Sequence, residues 1–141
     1  MPSFHFFYED VDFHFTAIRN TKSWLRKVIK AENKKLGELN YIFCSDPFLA
    51  GVNLQYLNHT TLTDIITFDT SEDVQLIEGE IYISIERVKE NAQKYKVTFD
   101  RELHRVMVHG VLHLLGYSDK TSQQKKIMRK KEDAYLSLKQ F

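Results

Sequence analysis

The run from Leu103 to Leu115 constrains the fold more than any other segment, because it is an apolar helix that carries two histidines. Leu103, Val106, Met107, Val108, Val111, Leu112 and Leu115 recur at helical spacing, so this segment belongs in the interior as a central helix. Thr98 or Asp100 caps its start, and Gly116 ends it. His109 and His113 are four residues apart. That spacing puts their Cβ atoms about 5–6 Å apart on one helix face, where both rings reach a single ion.

The segments around this helix alternate in period. Phe4 to Tyr8 reads as a strand, and Trp24, Leu25, Val28 and Ile29 have helical spacing, with Gly37 as the expected C′ residue of that helix. Leu39 to Cys44 has strand content. Asp46-Pro47 reads as a helix start, with an acid at the N-cap and proline at the first helical position, and Phe48, Leu49, Val52 and Tyr56 form the apolar face that follows. Asp64 to Phe68 and Gly79 to Ile85 read as two more strands separated by an acidic loop. Val88 to Tyr95 is predicted helical, and a last basic helix runs from about Thr121 onward. The order predicts an α+β fold, with a small mixed four-stranded sheet packed against helices and a metal site at the end of the central helix. Residues 1–141 are expected to form one domain, since 141 residues with 43% hydrophobic content can bury a core unaided.

Cys44 is the only cysteine, so no intrachain disulfide can form and a reducing compartment, the cytoplasm, is expected. The start MPSFHFFYEDVDFHF lacks the features of a secretory signal, and no stretch approaches the roughly 18 apolar residues of a membrane span. The net charge is +1, but the charges are segregated. Asp64, Asp69, Glu72, Asp73, Glu78 and Glu80 lie in a stretch without Lys or Arg. Lys120, Lys125, Lys126, Arg129, Lys130 and Lys131 lie in one without acid. Lys22, Arg26, Lys30 and Lys34 recur every four residues and are expected along one helix face. Such patches can hold an anionic partner, although each taken singly is ordinarily a solvated helix surface.

The chemistry concentrates in Val108-His-Gly-Val-Leu-His-Leu-Leu-Gly-Tyr-Ser-Asp119. A bare pair of histidines at this spacing is more often two ordinary helix residues. Here the pair sits in an apolar helix, where unpaired imidazoles are costly, and Asp119 follows at ligand distance after the helix stop. Two histidines and one carboxylate leave a coordination position open, the mark of a catalytic site. His104 falls on a different face and reads as a surface or core histidine. The zinc peptidases place a general-base Glu after the first histidine, and this chain has Gly110 there. What remains is a metal-held water, whose pKa zinc can lower to about 7.

At these residues the chain resembles the YbeY family, bacterial rRNA maturation factors described as metal-dependent endoribonucleases. The family signature is H-G-x-L-H-L-x-G-Y-D-H, and His109, Gly110, Leu112, His113, Leu114, Gly116 and Tyr117 match it in register. Upstream, Asn53 to Leu57 and Thr63 to Phe68 resemble the family's L-N-x-x-Y-R … P-T-D-V-L-S-F segment. Gly79-Glu80-Ile81 followed by Ile83 resembles its G-D-I-x-I strand. Two positions depart. Counted without a gap, Ser118 stands at the family's Asp and Asp119 at its last His, whereas a one-residue shift would put Lys120 there. Leu57 stands at the family's Arg, and His59 is a candidate to take over part of its role.

The resemblance implies a single-strand-specific endoribonuclease that acts in 16S 3′-end maturation and ribosome quality control. It also implies one Zn2+ per chain, ribosomal RNA and ribosomal particles as partners, and no membrane. Its metal would lie on His109, His113 and Asp119, with His109 and His113 catalytic through the metal. RNA contacts would come from Lys125, Lys126, Arg129 and Lys130, or from the Lys22–Lys34 face. Alternatives at this stage are a non-catalytic ribosome-assembly module with a structural metal, another metal-dependent hydrolase, or an iron-dependent oxygenase, which uses the same ligand set.

Overall fold

The computed structural model describes residues 2–57 and 63–141. Its elements are β1 (Ser3–Glu9), α1 (Ile18–Ala31), β2 (Lys35–Cys44), α2 (Asp46–Leu57), β3 (Ile65–Asp69), β4 (Leu76–Ser84), α3 (Ile85–Tyr95), α4 (Phe99–Leu114) and α5 (Ser122–Ser137). The sheet order is β1-β2-β4-β3. β1 pairs parallel with β2 and β2 parallel with β4, while β3 runs antiparallel to β4. Parallel neighbours need a long crossover, and α1 supplies it between β1 and β2. The α+β class and the mixed four-stranded sheet are those expected from the sequence.

Alternate residues of a strand point to opposite faces, and the two faces carry different cores. Leu39, Tyr41 and Phe43 of β2, with Ile81 and Ile83 of β4, are fully buried in the main core. There they meet Trp24, Leu25, Val28 and Ile29 of α1, the apolar side chains of α4, and Met128, Tyr135 and Leu136 of α5. On the other face α2 closes a smaller cluster of Cys44, Leu49, Val52 and Ile66. Two contacts seat α4 on the sheet. The Tyr41 hydroxyl donates to the Met107 carbonyl at 2.9 Å. Gly110 lies so close that a Cβ there would come within 3.0 Å of Ile65 and Ile81. Any side chain after His109 would press on these two isoleucines, so the close seating of α4 favours glycine there.

Several boundaries differ from expectation. Gly37 is not the C′ residue of α1, which ends at Ala31. The left-handed position is Asn33, at φ 60°, a conformation asparagine tolerates better than most residues. Gly37 lies in β2, where the register shifts between Leu36 and Leu39 and the Glu78 side chain fills the space a Cβ would need. Lys34 consequently falls beyond the helix and leaves the basic face to Lys22, Arg26 and Lys30. Asp46 is not the N-cap of α2: Ser45 Oγ accepts from Phe48 N at 3.1 Å, and Asp46 turns to Ser84 and Arg87. Ser84 caps α3, so Ile85 starts a helix rather than ending a strand. Asp64 precedes β3, and β4 begins at Leu76, inside the stretch expected as loop.

His104 proves to be a core residue, 4% exposed. Lys139 Nζ donates to its Nδ1 at 2.6 Å, its Nε2 lies 3.4 Å from Thr21 Oγ1, and the rings of Phe15, Trp24 and Phe141 surround it. Burial, helped by the Lys139 charge, pushes its pKa down to about 4. The unfolded chain therefore takes up this proton first as the pH falls. Stability is expected to drop on the order of 3 kcal/mol between about pH 6.5 and about pH 4 through this residue. Denaturant unfolding of His104→Gln at both ends of that window should show a flatter dependence, and an unchanged slope would exclude His104 as its source.

Candidate metal centre

The C-terminus of α4 builds the site. Gly116, at φ +105°, ends the helix. Its N–H donates to the His113 carbonyl at 3.0 Å, and the Tyr117 N–H donates to the Leu112 carbonyl at 3.0 Å. This pair of bonds is the Schellman closure, and it folds the chain back over the last turn. Two consequences follow. The Tyr117 carbonyl meets His113 Nδ1 at 3.0 Å, and Asp119 Oδ2 comes to 3.3 Å from His109 Nε2 and 3.4 Å from His113 Nε2. The two Nε2 atoms are 2.9 Å apart. One ligand atom from each of His109, His113 and Asp119 lies within 4.8 Å of the others, and among the described residues no other group of three or more such side chains does so. Ser118, beside Asp119, is not part of this group.

The hydrogen bonds behind the rings bear on what the cluster could hold. His109 Nδ1 is 2.5 Å from Glu132 Oε2, and His113 Nδ1 faces a carbonyl. Both partners accept, so a proton on each Nδ1 satisfies them and aims both Nε2 lone pairs inward, the tautomer assigned from these contacts. Two lone pairs and a carboxylate oxygen then converge on one point with no donor among them. A cation satisfies that arrangement, and the donor set of two imidazoles and one carboxylate suits a transition metal. Burial, and then His109, lower the pKa of His113 against the opposing pull of Asp119, which leaves it neutral and ready to ligate. The side chains of His109, His113 and Asp119 are 16%, 25% and 39% exposed, so solvent reaches the cluster.

A buried ionic chain stands behind His109. Arg105 Nη1 donates to Glu132 Oε1 at 3.0 Å, while its Nε and Nη2 fork onto Glu102 at 3.0 and 2.5 Å. Glu102 and Glu132 are 2% and 1% exposed. Burial raises the Glu132 pKa, but His109 and Arg105 outweigh it and hold the carboxyl below its usual range. Asp64, just before β3, lies in the field of Arg105 and His109, and burial raises its pKa against their pull. Behind the loop, Glu32 accepts from the Tyr117 hydroxyl at 2.6 Å, from Lys131 Nζ at 3.1 Å and from the Tyr135 hydroxyl. Sequence reasoning missed Glu32, Glu102, Arg105 and Glu132. A usable signal was present: Glu102, Arg105 and His109 follow at spacings of three and four, so charge lies along the ligand face of an otherwise apolar helix.

The other residues singled out from the sequence fall elsewhere. Lys125, Lys126, Arg129 and Lys130 are exposed on α5. Arg129 also lies 3.6 Å from Glu132. Lys131, counted with the basic run, turns inward to Glu32. His59 lies outside the described residues. Leu57, at the last position of α2, is 39% exposed.

Together the fold and the cluster define an α+β protein with a solvent-accessible candidate metal centre at the C-terminal end of a central helix. Residues 8–140 match the family model described as Endoribonuclease YbeY. The Endoribonuclease YbeY of Amoebophilus asiaticus is 53% identical over 132 residues, covering 94% of this chain and 90% of the relative. That of Cytophaga hutchinsonii is 52% identical, covering 96% and 95%. The solution structure of TM1509 from Thermotoga maritima is 30% identical and superposes with a TM-score of 0.66, covering 94% of this chain and 87% of that one. The chain belongs to the YbeY endoribonuclease family.

Proposed function

We propose that this protein is a metal-dependent endoribonuclease that cuts single-stranded RNA. Its role would lie in ribosomal RNA processing, at the 16S 3′ end, and in ribosome quality control in the cytoplasm, with ribosomal particles as partners. The observation that carries the reading is the convergence of His109 Nε2, His113 Nε2 and Asp119 Oδ2, all within 4.8 Å of one another. These residues would hold one ion per chain, zinc by the character of the donors. Zinc bound there would supply Lewis acidity and a water acidic enough to act near neutral pH. His113 stays neutral for its part, and the Tyr117 carbonyl holds its ring in place. Gly110 stands where a zinc peptidase has its general base and supplies none. In the test, single-stranded RNA is cut by the metal-loaded protein, cutting stops with a chelator and returns with zinc. Cutting that survives the chelator would count against the reading.

The exposed cations of α5 would hold the RNA backbone. Lys126 and Lys130 are one helical turn apart and border the same shallow depression with Ser122, Gln123 and Ile127. Each phosphate contact on a single strand contributes roughly −0.7 to the log–log slope of affinity against salt. Reversing both charges, with Lys126→Glu and Lys130→Glu, is expected to weaken RNA binding and flatten the slope by roughly 1.4, with metal content unchanged. Arg129 is the poorer choice for this test because of its contact with Glu132. A slope equal to that of the unmodified protein would place the RNA elsewhere, with the Lys22, Arg26 and Lys30 face of α1 the next to test.

A further inference from the structure

We propose that Glu132 is a positioning residue of this centre. Its carboxylate holds His109 with the proton on Nδ1 and the Nε2 lone pair aimed at the ion, and Arg105 fixes that carboxylate in place. The inference rests on reading His109, His113 and Asp119 as a metal site. Three observations carry it. Glu132 Oε2 is 2.5 Å from His109 Nδ1, the shortest contact either ring makes, and Glu132 is 1% exposed. Arg105 is already forked onto Glu102 through two of its nitrogens, so a second carboxylate is more than one guanidinium needs. Arg129 reaches the same carboxylate only at 3.6 Å and from an exposed position, so the closest partners of the buried Glu132 carboxylate are Arg105 and the His109 ring. A cation on the far side of the His109 ring would add a favourable charge to this chain. A carboxylate behind a ligating imidazole also makes that ring a stronger donor, and loss of such a partner weakens metal binding by about 10–100-fold.

α5, which presents Lys126 and Lys130 outward, presents Glu132 inward. Docking of α5 on α4 is then a condition for a competent His109, although the two residues are 23 apart in the chain.

The experiment compares the full-length protein with Glu132→Gln, Glu132→Asp and Glu102→Gln. Zinc affinity is measured by competition with a chromophoric chelator, and the imidazole protons are located by nitrogen NMR in the metal-free proteins. In the unmodified protein His109 is expected to carry its proton on Nδ1. Glu132→Gln should bind zinc about 10–100-fold more weakly and shift the His109 proton toward Nε2. Glu132→Asp, which keeps the charge but withdraws it, should recover part of the affinity. Glu102→Gln perturbs the same buried chain without touching His109 and should leave both readouts near their unmodified values. Equal losses in Glu102→Gln and Glu132→Gln would reduce Glu132 to a structural role and overturn the proposal, as would full affinity in Glu132→Gln. If Glu132→Gln fails to fold, the NMR of the unmodified protein decides, since a His109 proton on Nε2 overturns the proposal. An unmodified protein that takes up no zinc would overturn the metal-site reading too, a result distinct from any difference among the variants.

Discussion

Arg105→Leu is expected to cost the fold roughly 3–5 kcal/mol, because removing one partner of a buried ion pair strands the other. Here Glu102 loses the guanidinium forked onto it and Glu132 is left with His109 and the more distant Arg129, both carboxylates almost without solvent. A chain of this size should then melt roughly 10–15 °C lower. The pH dependence has a definite sign. In the unmodified protein the Glu132 pKa is held below its usual range. Its contribution to stability is therefore present at neutral pH and lost as the pH falls through that lowered range. In Arg105→Leu the guanidinium between the two carboxylates is gone, and taking up a proton lowers the cost of the buried charge that Arg129 alone does not balance. The deficit of the variant relative to the unmodified protein should shrink as the pH falls toward about 5. Thermal unfolding of both proteins across that range reads it out, and a deficit independent of pH would mean that Arg105 matters for packing rather than charge. Replacing Glu102, Arg105 and Glu132 together by apolar residues should regain part of the lost stability while leaving zinc weakly held. That outcome separates what the ionic chain does for the fold from what it does for the site.

His113→Ala is expected to have the largest effect on activity. It removes one of three converging donors, so zinc affinity should fall by more than the roughly 100-fold that marks the loss of a residue behind a ligand. Cleavage should be lost with it. RNA binding should persist, because the exposed cations lie on α5 and not on the last turn of α4. The His113 side chain is 25% exposed and lies at the helix end, so stability should change by only about 1 kcal/mol. Ser118→Ala serves as the control: it changes the neighbour of Asp119 and should leave metal content intact. Metal quantitation on the purified proteins and cleavage of ribosomal particles carrying unprocessed rRNA provide the two readings. His113→Ala cutting as fast as the unmodified protein would assign the activity to something other than this cluster.

Legibility in the sequence followed the range of the interaction. His109 and His113 could be paired because a helix fixes the separation of residues four apart whatever surrounds it. The stop at Gly116 was legible because a reversal needs a left-handed residue and glycine adopts one freely. With the stop in place, the return of Asp119 to the same face was a short-range consequence. The Thr98 cap and the α+β order of elements are also local properties, written in residue type and period. Even local signals misled where two residues competed for one role. Gly37 drew the helix end away from Asn33, and Asp46 drew the cap away from Ser45, because propensity ranks candidates and hydrogen bonding chooses among them.

What the chain's order alone did not disclose lies between elements. The strand order β1-β2-β4-β3 depends on how α1 and the α2–β3 segment pack across the sheet. Gly110 reads in the sequence as the absence of a peptidase base, and only the tertiary structure shows its close approach to Ile65 and Ile81, which favours a small residue there. Lys131 looked like one more surface cation until α5 turned it toward Glu32. Glu132, which the sequence did not single out, is brought behind His109 by the same docking. Sequence by itself determined the cluster of His109, His113 and Asp119, since one helix and its stop bring the three together. Tertiary structure decided which charges stand behind those side chains, since a buried ion pair joins whichever faces the packing of apolar side chains has already brought together.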